Sequence, residues 1–266
     1  MSLLLTGAGS SFSGSGAIGP INDGLVLYVD GGRAASYPGT GTTWFDLAGD
    51  NDLTFENPGD IIHFPSGYFF TGETGYWSRA SASVPTTGTY TFSAVVRTNG
   101  EWDDAGVYSL GVPGDPNRFN WVATRQDSLG KVEHSWWTSG IDGVATDIAV
   151  PWYVLSSTWD GTTRKLWKNG TLLASDTPAS GPNVNNPILY VANVNTFVGY
   201  KWASDFAAFM TYDRALSQAE LTSNANYFIS RLPVEPTPPL PAALMIYATF
   251  DDPLVYEAAT DYIVYE

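Results

Sequence analysis

The chain has 266 residues, no cysteine, and 12 basic against 27 acidic side chains, a net charge of −15. Those numbers exclude a disulfide framework, a Cys-ligated zinc site and a Cys nucleophile. So acidic a chain repels phosphate backbones, so nucleic acid is not an expected partner. Aromatics make 14% of the residues and charged side chains 15%, with 27 Gly and 17 Pro. This composition reads as a turn-rich β protein with an aromatic core, not as a disordered chain.

Met1-Ser2-Leu3-Leu4-Leu5 has neither the basic n-region nor the apolar length of a secretory signal. No stretch approaches the roughly 18 apolar residues that span a bilayer, so membrane insertion is not expected. Residues 1–21 read as a flexible arm, because residues 7–20 are dominated by Gly, Ser and Ala. Leu25 to Asp30 is a near-continuous apolar run, the pattern of a strand buried on both faces. Tyr90 to Arg97 alternates: Tyr90, Phe92, Ala94 and Val96 share one face, and Thr91, Ser93, Val95 and Arg97 the other.

Trp152 to Trp159 is rich in strand formers and ends at an Asp160-Gly161 turn. Arg164 to Lys168 forms the next short strand. Asn169-Gly170 then predicts a tight hairpin, since both residues tolerate positive φ, and Thr171 to Ser175 completes a three-strand meander. One helix is predicted near residues 217–232. Ser217 and Glu220 fit a capping box, Leu216 and Leu221 occupy the staple positions, and Pro233 stops the helix. Residues 233–241 hold five prolines and read as a stiff extended linker. Residues 242–266 contain two strand-like runs, Leu244 to Tyr247 and Tyr262 to Tyr265. A tail this short cannot bury a core of its own, so it is expected to add to a sheet of the main domain or of a partner.

Several segments stand in a telling order: Gly24 to Asp30; Ser36-Tyr37-Pro38-Gly39-Thr40-Gly41-Thr42-Thr43-Trp44-Phe45-Asp46-Leu47; Tyr90 to Arg97; Trp159-Asp160-Gly161-Thr162; Leu166 to Leu172; and Tyr212-Asp213-Arg214-Ala215-Leu216-Ser217 ahead of the helix. The set, over about residues 22–230, resembles the laminin-G-like branch of the concanavalin A-like lectin/glucanase superfamily. The Ser36 to Leu47 version is similar to modules of tailed-phage virion proteins. The resemblance implies an all-β, antiparallel two-sheet jelly-roll sandwich over residues 22–232, with one short helix. It does not by itself imply a function, since such sandwiches serve as sugar binders, adhesion modules, hydrolases and surface decoration.

Glycoside hydrolysis needs two carboxylates flanking the bond. The nearest arrangement is Glu101-Trp102-Asp103-Asp104, which follows Asn99-Gly100 and reads as an acidic loop, so no catalytic residue is assigned. His63 and His134 lie in unlike contexts with no triad pattern around them and read as structural. Calcium is the one ion the sequence suggests. Asp46, Asp50 and Asp52, with Asn51, offer hard oxygens, although the spacing is not that of an EF-hand and Asp/Asn-rich turns form for local reasons.

Glycan binding would use aromatic faces beside hydrogen-bonding groups. Trp136 and Trp137 are the leading pair, because adjacent strand residues face opposite ways and one of them belongs outside the core; Trp102 and Trp202 are secondary. Most other tryptophans, including Trp152, Trp159 and Trp167, read as core between the sheets.

The expected protein is therefore a non-enzymatic virion structural protein of a tailed phage. A capsid decoration protein or head fibre comes first, and a carbohydrate-binding adhesin or tail receptor-binding protein is the alternative; a glycoside hydrolase ranks last. Its expected place is the virion surface. Its expected partners are the major capsid or other virion proteins, met through the N-terminal arm and the C-terminal tail, further copies of itself in a homo-oligomer, and a host-surface glycan.

Overall fold

The computed structural model describes residues 19–80, 82–98, 105–112, 119–125, 131–136, 139–144, 152–194 and 202–233. The arm over residues 1–18, the linker beyond Pro233 and the tail lie outside the described residues. The described strands are β1 (Leu25–Asp30), β2 (Thr43–Trp44), β3 (Leu53–Glu56), β4 (Ile61–Phe64), β5 (Tyr68–Thr71), β6 (Tyr76–Arg79), β7 (Tyr90–Arg97) and β8 (Gly106–Gly111). They continue with β9 (Phe119–Arg125), β10 (Lys131–Trp136), β11 (Ser139–Val144), β12 (Tyr153–Trp159), β13 (Arg164–Lys168), β14 (Thr171–Asp176), β15 (Leu189–Val191) and β16 (Asp205–Tyr212). One helix, α1 (Gln218–Ile229), follows.

The strands form two antiparallel sheets. The first sheet runs β14-β13-β12-β7-β16-β5-β4, with β1 also on β16; the second runs β11-β10-β9-β8-β15-β6-β3-β2. This is the all-β two-sheet sandwich that the family resemblance implies. The meander β12-β13-β14 turns at Asn169 and Gly170, whose φ angles of 52° and 78° are the positive values a two-residue hairpin demands.

The alternation of β7 places Tyr90, Phe92, Ala94 and Val96 in the core between the sheets. They meet Leu53, Trp77, Leu110, Val122, Val132 and Leu189 from the opposite sheet. One end of the core is aromatic: Trp44 lies 4.8 Å from both Phe69 and Trp77, ring centre to ring centre. Such pairs add to the burial term that dominates stability. A register shift in β16 between Phe206 and Ala208 lets Phe206 and Phe209 both join this core.

The outer face of the first sheet carries a second apolar cluster shared with α1. Leu221, Ala225 and Phe228 of the helix belong to it, as do Tyr28, Tyr68, Val95, Met210 and Tyr212 of the strands. The helix starts where the capping box predicts: the Ser217 hydroxyl accepts from the Glu220 N–H, and the Glu220 carboxylate accepts from the Ser217 N–H at 2.8 Å. Leu216 and Leu221 are both buried, as staple positions should be. Trp152 and Trp167 belong to this outer cluster, while Trp159 lies between the sheets as expected. The correction follows from strand alternation, which turns Trp152 and Trp167 away from the inner face. The Ile21 N–H donates to Asn224 of α1 at 2.9 Å, so the last residues assigned to the arm are docked on the helix.

Candidate functional site

The outer face of the second sheet is composed differently. Strand register aligns Thr54 with Ser78, Ser78 with Tyr190, Tyr190 with Ser109, Ser109 with Trp121, Trp121 with Ser135, and Ser135 with Gly140. A single row of hydroxyls and aromatic rings thus crosses β3, β6, β15, β8, β9, β10 and β11. Period-2 alternation forces this composition: Leu53, Trp77, Leu189, Leu110, Val122 and Val132 point inward, so their neighbours point out.

The row divides into a covered and an open half. Ser109, Trp121 and Ser135 are buried, and Trp121 packs with Phe119, Ala123 and Val194. Thr54 is exposed, while Glu56, Tyr76, Ser78 and Tyr190 are half-buried. In this open half the Tyr76 and Tyr190 rings lie 5.9 Å apart at 45°. The Ser78 hydroxyl donates to the Glu56 carboxylate at 2.6 Å. Burial and then the Glu56 charge raise the Tyr76 phenol, with Tyr190 adding to the effect; the same two causes raise Tyr190. Both phenols therefore stay protonated and able to donate. The patch offers two ring faces, hydroxyl donors and acceptors, and one carboxylate acceptor, which is the chemistry that recognises a sugar's C–H face and its hydroxyls.

The residues singled out in the sequence lie elsewhere. Trp136 is fully buried; its indole N–H donates to the Tyr90 hydroxyl at 2.8 Å, and Arg164 stacks on its ring at 4.5 Å. Trp202 is also fully buried and donates to the Asp205 carbonyl at 3.1 Å. Neither presents a face to solvent, so the glycan-stacking role read for them is corrected to a core role. Trp102 and Trp137, with Glu101 and Asp103, lie outside the described residues.

The calcium reading is corrected too. Asp46 is a turn organiser: its carboxylate accepts the N–H groups of Tyr28, Ala48 and Asn51 at 2.9, 2.9 and 3.1 Å. The Asp52 carboxylate accepts the Asp46 N–H at 2.8 Å, and Asp50 takes part through its backbone carbonyl, which receives Arg79. The Asp46 and Asp52 carboxylates thus serve the turn's own backbone. Among the described residues no group of three or more His, Asp or Glu is placed to hold a metal ion.

Other carboxylates are tied to cations. Asp205 pairs with buried Arg97 at 2.7 Å, Asp176 with buried Arg164 at 2.6 Å, and Glu220 with Arg214 at 2.6 Å. His134 is a core residue. Its Nε2 lies 3.0 Å from the Asn120 side-chain oxygen and 3.2 Å from the Tyr90 hydroxyl. Burial, reinforced by the Arg164 charge, holds its pKa well below the ordinary imidazole value.

The sandwich is of the concanavalin A-like type. Its described architecture matches that fold, and solved structures agree. The chain superposes on Trypanosoma rangeli sialidase in complex with sialic acid with a TM-score of 0.57 at 15% identity, covering 78% of this chain and 33% of that one. It superposes on the binding domain of botulinum neurotoxin serotype G with a TM-score of 0.56 at 14% identity, covering 77% and 51%. For the receptor binding domain of the botulinum neurotoxin C/D mosaic serotype the TM-score is 0.54 at 11% identity, covering 76% and 51%. The chain thus spans about a third to a half of the chains it resembles. At such identities the likeness is one of fold. No family model and no curated protein matches the sequence.

The open patch was not legible in the sequence. Thr54-Phe55-Glu56 and Tyr76-Trp77-Ser78 do show the period-2 signal of half-buried strands. Their pairing with each other and with Tyr190, more than 110 residues on, is a matter of register between distant segments.

Proposed function

We propose that the chain is a non-enzymatic virion-surface protein of a tailed phage, a capsid decoration protein or head fibre that displays a lectin-like sandwich. The non-enzymatic part is supported by five carboxylates that serve structure: Asp30, Asp46, Asp176, Asp205 and Glu220 each hold an arginine or a set of backbone N–H groups. Acid–base catalysis at a glycosidic bond needs two carboxyls facing substrate instead. The phage setting is supported by the Ser36 to Leu47 segment and its order with the others. In this reading the N-terminal arm, residues 1–21, and the tail, residues 242–266, hold the domain to capsid proteins, and several copies assemble together.

The test is to add the recombinant protein to particles that lack it and locate it by immunogold electron microscopy. Label over the heads, lost when residues 1–20 or 242–266 are removed, is the expected result. Label on cells and on no particle overturns the reading.

A second reading, a carbohydrate-binding adhesin at a tail tip, is favoured by the open row of Thr54, Ser78 and Tyr190 with Glu56 and Tyr76 beside it. It predicts saturable glycan binding that Tyr190→Ala abolishes, and label confined to tail ends. The two roles are compatible, because the patch and the attachment segments are different parts of the chain.

A further inference from the structure

A cleft of about 550 Å³ lies beside β1, and most of its lining residues are apolar: Pro20, Leu25, Ala34, Ala35 and Leu47 line it with Tyr28. Backbone hydrogen bonds set its shape. The Leu47 N–H donates to the Tyr28 carbonyl at 2.7 Å and the Leu25 N–H to the Asn22 carbonyl at 3.1 Å. The N–H groups of Ser36 and Tyr37 both donate to the Arg33 carbonyl at 2.8 Å, which fixes the turn that carries Ala34 and Ala35.

The polar groups beside the cleft serve the fold. The Tyr28 hydroxyl donates to the buried Asp30 carboxylate at 2.6 Å, which also receives Arg231 Nη1 at 2.8 Å. Arg33 Nη2 donates to the Tyr227 hydroxyl at 2.5 Å, and Arg33 Nε lies 3.6 Å from Asp30. Leu25 and Leu47 pack against the outer cluster of the first sheet, yet both stay only half-buried. Apolar surface is thus left open in a preformed hollow, and an apolar side chain is the occupant that removes it from water.

The chain supplies such a side chain. It enters the described domain at Gly19, and Gly19 and Pro20 are themselves part of the lining. Residues 7–18 are all Gly, Ala or Ser except Phe12 and Ile18, and Phe12 is the one aromatic residue among the first 18. Six residues separate Phe12 from Gly19. A tether of that length reaches up to about 20 Å. Its Gly and Ser content lets it turn back on the domain. So short a tether also keeps Phe12 at an effective concentration of about millimolar, an advantage over any free ligand. We propose that the cleft is the docking site of the chain's own N-terminal arm, with the Phe12 ring seated between Leu25 and Leu47 and against Tyr28. Any partner that takes the arm then competes with the cleft for it. The proposal does not rest on the phage reading: that reading is tested on particles, and this one on the isolated chain.

The test is nuclear magnetic resonance on the full chain with the Phe12 ring and the leucine methyl groups isotope-labelled. The expected result is nuclear Overhauser contacts from the Phe12 ring to the Leu25 and Leu47 methyl groups, present within one labelled copy diluted into unlabelled protein. Phe12→Ser should shift those methyl signals towards the values they take when residues 1–18 are removed. Ala35→Trp fills the cleft from an exposed position and should abolish the contacts while the remaining methyl spectrum keeps its folded dispersion. No contact from Phe12 to either leucine overturns the proposal. So does survival of the contacts in Ala35→Trp. Methyl shifts that follow removal of residues 1–18 but not Phe12→Ser would give the cleft to another part of the arm, and contacts found only between different copies would make it an interface between subunits; either result overturns the proposal as stated.

Discussion

On the outer face of the first sheet, Tyr68, Trp152, Trp167, Met210 and Tyr212 are buried in one cluster with α1; on the outer face of the second, Thr54 is exposed and Glu56, Tyr76, Ser78 and Tyr190 stay half-open. Both sheets face the same core. The difference lies in what each sheet must do with its other side. A face of large apolar side chains loses free energy in water at about 25 cal/mol per Å², so it acquires a helix. A face of hydroxyls, tyrosines and one carboxylate can remain wet. The covered face is a packing problem that the chain solves with α1, and the half-face around Tyr190 carries polar groups that water can satisfy.

The contrast is broken most severely under the helix. Arg97 lies in the covered layer, with its guanidinium 4.7 Å from the Trp152 ring and 2.7 Å from Asp205. Burial raises the Asp205 carboxyl, against the Arg97 charge that lowers it. Replacing Arg97 with Met leaves that carboxylate without its partner and is expected to cost about 3–5 kcal/mol in urea unfolding. Phe228→Ala opens a void between α1 and Tyr28, whose ring lies 6.0 Å away, and is expected to cost about 3–5 kcal/mol in the same assay. A loss below about 1 kcal/mol for Phe228→Ala would mean that the helix is not what protects this face. Ser217→Ala removes one half of the capping box and is expected to cost about 1 kcal/mol.

Acid sharpens the comparison between core and helix cap, because the two titrate in different windows. His134 is held neutral in the fold, chiefly by burial, whereas its unfolded value is the ordinary 6.5. Below pH 6.5 the unfolded chain takes up a proton that the native state refuses, so stability falls from there downward. Glu220 is lowered from 4.5 to about 2, first by its hydrogen bonds with Arg214. Its contribution is complete above pH 4.5 and is lost as the pH falls towards 2. Urea midpoints at pH 7, 5.5 and 3 should therefore decline in two stages. His134→Gln should flatten the first stage and Glu220→Gln the second. A single decline confined to pH below 4 would show that His134 does not sense acid.

The smallest effect on stability is expected at the open face. Tyr190→Ala should change unfolding by less than about 1 kcal/mol, because the ring is only half-buried. Its consequence should appear in glycan binding instead. A large loss of stability there would make the patch a part of the core and remove the contrast between the two faces.

Much of the fold was legible because its signals are local. The alternation of Tyr90 to Arg97, the Asn169-Gly170 turn and the Ser217/Glu220 box each need only a few neighbouring residues, and each forms as its chemistry dictates. The binding residues were not legible by the same route. Trp136 looked available because Trp137 follows it, and strand alternation cannot say which of two neighbours faces inward. Asp46, Asp50 and Asp52 looked like ligands because carboxylates cluster there, while the Asp46 carboxylate and one oxygen of Asp52 accept backbone N–H groups that shape the turn.

Composition and local patterning by themselves determined an acidic, cysteine-free, turn-rich β chain with a capped helix, and the resemblance of its ordered segments implied the antiparallel sandwich. Only the tertiary structure decided which sheet face is covered, that Thr54, Ser78 and Tyr190 form one row, and that Arg33 and Arg231 converge on Asp30. The physical reason is range. Turn, cap and alternation preferences act within a few residues, whereas Arg231 reaches Asp30 across 201 positions of the chain through contacts that exist only once both sheets and the helix have packed.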